Sequence, residues 1–90
     1  METTNLVKEG REFVIEFSGA KVFVGTAAYI SPMAAQLVVH DFMAPLNWRP
    51  SGEWSCLADS EGNDCIAVGF KVPLLKRRKA KQLIAKLATA

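Results

Sequence analysis

The residues of this chain that could do chemistry are few and scattered. His40 is the one histidine, beside Asp41, and the two cysteines, Cys56 and Cys65, lie well downstream. A thiol nucleophile needs a base within hydrogen-bond reach, and no local arrangement supplies one. A structural zinc site takes four ligands, normally Cys and His, so two cysteines and one histidine fall short. The acidic stretch Asp59-Ser60-Glu61-Gly62-Asn63-Asp64 differs from a calcium loop, which places glycine sixth and glutamate twelfth. Here Gly62 is fourth and Phe70 is twelfth. No glycine-rich phosphate loop, nucleophile elbow or carboxylate pair is present. The sequence therefore predicts a protein that is not an enzyme, with no catalytic residue, metal or cofactor.

Two other features suit binding. Lys76-Arg77-Arg78-Lys79-Ala80-Lys81 concentrates positive charge, and Lys86 follows. These cations repel one another, and a helix N-terminus disfavours them further, so an anionic partner would offset a locally poor arrangement. Residues 71–90 hold seven basic residues and no acid, whereas residues 1–70 hold four basic and nine acidic residues, a net of −5. That asymmetry points to an anionic partner, or to pairing between the basic end and the acidic body. Trp48-Arg49 is the second feature, because tryptophan and arginine dominate interface hot spots. The alternative for Trp48 is closure of one end of a thin core, and Trp54, in strand phase, reads as a core residue.

The elements that must position these residues follow from periodicity. Glu12–Phe17 and Lys21–Thr26 alternate as a hairpin; a turn over Gly19-Ala20 pairs Phe17 with Val22 and Ile15 with Val24, and a turn over Ser18-Gly19 shifts the partner by two with the same faces meeting. Ser31-Pro32 opens a helix that runs to Met43 and is stopped by Pro45. A second hairpin pairs Trp54 with Phe70, Cys56 with Val68 and Ala58 with Ile66 through a loop over Ser60–Asp64. That register puts Cys56 and Cys65 on opposite faces, so no disulfide joins them. Ala80, Leu83, Ile84 and Leu87 form the apolar stripe of a last helix starting near Lys76, with Arg78, Lys79, Lys81 and Lys86 facing away.

The expected fold is α+β in the order β-β-α-β-β-α, a four-stranded antiparallel sheet with both helices on one face. Ninety residues make one domain, 1–90, with residues 1–10 partly flexible. Val14, Phe23, Leu57 and Ala67 leave apolar surface on the second sheet face, which suggests a homodimer through that face. No apolar run approaches the roughly 18 residues of a membrane span, so no membrane partner is expected. The N-terminus lacks the features of a signal peptide, which suggests a cytoplasmic location.

Function reads as a small non-enzymatic inhibitor or adaptor that docks on a partner protein through Trp48 and Arg49, a size that suits inhibitors carried by viruses or mobile elements. The alternative is nucleic-acid binding, with phosphates held by Lys76, Arg77, Arg78, Lys79, Lys81 and Lys86; the same residues would serve an acidic protein.

Overall fold

A computed structural model describes residues 2–29 and 31–89. Five strands and two helices follow the order β1 (Glu2–Lys8), β2 (Arg11–Ser18), β3 (Lys21–Ala27), α1 (Pro32–Met43), β4 (Pro50–Ala58), β5 (Asp64–Lys71) and α2 (Arg77–Thr89). Single 3-10 turns at Ala44–Leu46 and Leu74–Lys76 precede β4 and α2. The sheet is antiparallel throughout, in the order β1-β2-β3-β5-β4.

The fifth strand corrects the four-stranded expectation. Within the N-terminal segment, Glu2–Lys8 pairs with β2 across a turn at Glu9-Gly10, both with positive φ (53° and 79°); Met1 lies outside the described residues. As an edge strand, β1 places little against the core: Leu6 is half-buried, while Thr3, Thr4 and Asn5 are exposed. It therefore carries no apolar alternation for a sequence reading to find.

The first predicted hairpin forms with its turn over Gly19-Ala20, the first of the two registers its alternation allows, with Phe17 opposite Val22 and Ile15 opposite Val24. Gly19, at φ 59°, takes the left-handed position of its turn. Helix α1 has the expected bounds, capped where the Ala34 N–H donates to Ser31 Oγ at 3.1 Å. Pro45 does not end the coil abruptly, because it fits a 3-10 turn that closes at Asn47 with φ 53°.

The second hairpin differs from expectation by two residues. Trp54 opposes Val68, Cys56 opposes Ile66 and Ala58 opposes Asp64. The cause is Asp59, whose Oδ1 accepts the N–H groups of Glu61 (2.9 Å) and Asn63 (2.8 Å), while its own N–H donates to the Asn63 carbonyl. These bonds close the loop over residues 59–63 and place Asp64 in the strand. Because the shift is even, each side chain stays on its expected face.

The helix side of the sheet carries the main core. Phe13, Ile15, Phe17, Val22, Val24, Val68 and Phe70 pack with Val39, Phe42 and Met43 of α1 and with Ala80, Ile84 and Leu87 of α2. Helix α1 lies against β3 and β5, and α2 reaches β1. Strand β4 lies beyond α1, at the sheet edge, so Trp54 is not the core residue its phase implied: it is 64 % exposed. The second sheet face holds a smaller cluster in which Val14, Ala27 and Cys65 are buried and Leu57 packs against them.

Candidate partner-binding surface

The link from β5 to α2 builds the most distinctive surface. Main-chain bonds fix its start, with Lys71 N–H donating to the Arg49 carbonyl and Val72 N–H to that of Ala20, both at 2.9 Å. Val72 is buried, and Pro73 then turns the chain into the Leu74–Lys76 turn, where no residue is buried. Leu74 is 60 % exposed and Leu75 fully exposed. Half-buried Trp48 faces the same region. With Pro73, Ala80 and Leu83 it lines a groove of about 340 Å3 whose cations are Lys71, Lys76 and Lys79. The two predicted features, the Trp48 loop and the basic helix, are thus one surface.

The basic run is divided by the helix it belongs to. The Arg77 guanidinium donates to the Gly19 carbonyl at 2.8 Å and lies 5.7 Å from the centre of the Phe17 ring. Lys81 does not face away as its phase implied, because its ammonium is 5.6 Å from the same ring. Both side chains hold α2 against the β2–β3 turn on the flank away from Trp48. Lys76, Arg78, Lys79 and Lys86 are exposed, and among the described residues none of them pairs with an acid. The described ion pair joins Lys21 to Glu53 on the sheet. Pairing between the basic end and the acidic body therefore does not account for these four cations. Arg49 contributes its carbonyl to the β5 link, and its residue is exposed.

Lys71, Leu74 and Leu75 were not singled out by sequence reasoning. The available signal was Leu74-Leu75 between Pro73 and the cations, belonging neither to β5 alternation nor to the α2 stripe.

The remaining chemically capable groups are dispersed. His40 is exposed and stands edge-on to Phe70, ring centres 6.0 Å apart. Cys65 is buried on the other side of the sheet, and Cys56 is exposed on the helix side; both are free thiols. Burial, with the nearby charges of Asp59 and Glu12, pushes the Cys65 thiol up to about 11, so it stays protonated at neutral pH. Glu12 accepts the N–H of Ser60 at 3.1 Å and its hydroxyl at 2.7 Å, together with the Asn5 side-chain amide. The Ser60 side-chain bond, then that from Asn5, holds the Glu12 carboxyl below its ordinary value. At Asp59 desolvation pushes upward, but hydrogen bonds from Asn63, Glu61 and Gly62 outweigh it and the carboxyl is lowered. These acids brace the hairpin tip. Among the described residues, no group of three His, Cys, Asp or Glu side chains could hold a metal ion, and no helix is long and apolar enough to cross a membrane.

The chain matches no protein-family model, no curated protein and no solved structure.

Proposed function

We propose that this protein works without catalysis, as an inhibitor or adaptor that docks on an acidic segment of a partner protein through the Trp48 groove and the Leu74-Leu75 turn. The observation that carries this reading is Leu75, fully exposed beside a groove rimmed by cations. Protein interfaces commonly combine an apolar centre with a polar rim. Burying each leucine against a partner would contribute about 1.5–3 kcal/mol, and Trp48, half-buried in the groove that Pro73 and Lys76 also line, supplies a rigid aromatic anchor. An acidic partner meets Lys71, Lys76 and Lys79 at the rim.

Nucleic-acid binding is the second reading, favoured by the exposure of Lys76, Arg78, Lys79 and Lys86, none of which pairs with an acid among the described residues. It ranks lower because a phosphate backbone rewards cations and leaves Leu74 and Leu75 with nothing to cover them. The engagement of Arg77 and Lys81 with Phe17 also shortens the row of cations that could follow a backbone.

The two readings separate in a titration. Trp54→Phe leaves Trp48 as the fluorescent reporter, and the probes are a short peptide of alternating Glu and Leu and a DNA duplex of random sequence. Docking on protein predicts that Leu74→Ser/Leu75→Ser weakens peptide binding by about tenfold or more, equivalent to about 1.4 kcal/mol. Unchanged peptide binding in that variant, with steeply salt-dependent duplex binding lost in Lys76→Gln/Lys79→Gln, replaces the first reading with the second. Insensitivity of both probes to both variants refutes the assignment of this surface.

A further inference from the structure

Strand β4 forms one edge of the sheet, and its outer segment is unlike a protected edge. Natural edge strands carry charges, prolines or bulges that prevent pairing with another chain. In β4 such devices are confined to one end, with Pro50, Gly52 at φ 82° and a register shift between Pro50 and Trp54. The segment beyond them, Trp54-Ser55-Cys56-Leu57-Ala58, has no charge and no proline.

The ladder shows which of its main-chain groups are unpartnered. Asp59 N–H donates to the Asn63 carbonyl, so residues 59 and 63 form a hydrogen-bonded pair. Antiparallel pairs alternate, which makes Trp54–Val68, Cys56–Ile66 and Ala58–Asp64 the non-bonded pairs of this ladder. The Asp64 carbonyl agrees, since it accepts from Ala28 on the β3 side. Trp54, Cys56 and Ala58 therefore direct their N–H and C=O groups outward from the edge, and their side chains share the helix side of the sheet.

We propose that β4 pairs with β4 of a second copy of this chain, antiparallel about a two-fold axis at Cys56. In that register Cys56 meets Cys56 of the second copy and Trp54 meets Ala58, so every outward group of the segment gains a main-chain partner. The large exposed Trp54 then lies beside a small residue. Glu53, which would approach Asp59 of the second copy, is already neutralised by Lys21. Trp54, on the helix side of the sheet, is 64 % exposed. The second face, where Val14, Cys65 and Ala67 are already buried within one chain, offers less. The dimer is independent of the Trp48 groove, so either can fail without the other.

The test combines mass and cross-linking. Light scattering on a sizing column should give twice the monomer mass at high micromolar concentration. Paired Cα atoms at about 5.5 Å put the two thiols within reach of a short bis-maleimide, which adds one thiol to each ring and should link the copies through Cys56. Cys65→Ser should still cross-link and Cys56→Ser should not. Cys56→Pro removes only an outward N–H, and Trp54→Lys charges the edge; each should yield a folded monomer by circular dichroism and light scattering. A monomeric wild type overturns the proposal. So does a dimer that persists in both edge variants and does not cross-link through Cys56.

Discussion

Glu12 and Ser60 lie 48 residues apart in the chain, yet the Glu12 carboxylate accepts both the main-chain N–H and the hydroxyl of Ser60, at 3.1 and 2.7 Å. This pair ties the β4–β5 hairpin tip to the start of β2. Its strength depends on the carboxylate form. In the folded chain Glu12 titrates below its ordinary value of 4.5, so the contribution is fully present above that value and is lost as pH falls through the lowered one. Glu12→Gln should lower the urea midpoint at neutral pH, and the difference from wild type should shrink as pH falls below 4.5 and through the lowered value. A difference that is constant with pH would show that the charge is irrelevant to the tie.

Thiol reactivity should divide sharply. Cys56 is exposed, whereas Cys65 is buried with its thiol pushed up to about 11. At mildly alkaline pH and at concentrations low enough to keep the chain monomeric, Cys65 in a Cys56→Ser background should react with a disulfide reagent at least about a hundredfold more slowly than Cys56 does in Cys65→Ser. Adding Glu12→Gln should speed Cys65 labelling by loosening the tip near it. Equal rates at the two cysteines would contradict this burial.

Gly25 and Ala67 meet across β3 and β5 without room for another carbon. A Cβ on Gly25 would stand 2.9 Å from the Ala67 Cβ and 3.1 Å from its Cα. Gly25→Ala should therefore destabilise the fold by about 1–3 kcal/mol. Adding Ala67→Gly should recover part of the loss, because one of the clashing atoms goes while the backbone contacts remain. Denaturant titrations of the two variants measure both effects.

Neighbouring arginines should behave differently. Arg77→Ala removes the bond to the Gly19 carbonyl and the contact with Phe17, and should cost about 0.5–1.5 kcal/mol of stability. Arg78→Ala, at an exposed position without an acidic partner among the described residues, should leave the unfolding free energy unchanged within about 0.5 kcal/mol. Equal losses would remove the division of the basic run between structure and surface.

Local patterning alone determined much of this protein. Alternation on either side of Gly19 set the β2–β3 hairpin and the face of each side chain, Ser31-Pro32 set the start of α1, and the Ala80, Ile84 and Leu87 spacing set the buried stripe of α2, because each depends on backbone geometry and neighbours a few residues away. Where the local signal was weak, the sequence fell short. Strand β1 shows no apolar alternation because it is an edge that buries little, and the second hairpin slipped by two because an even shift leaves the apolar pattern unchanged and Asp59 hydrogen bonds decided the loop. Only the tertiary structure could bring Trp48 to Lys76 and Lys79, turn Arg77 and Lys81 onto Phe17, and leave Trp54 outside the reach of α1. Those outcomes depend on strand order and on which face each helix covers, and long-range packing sets both.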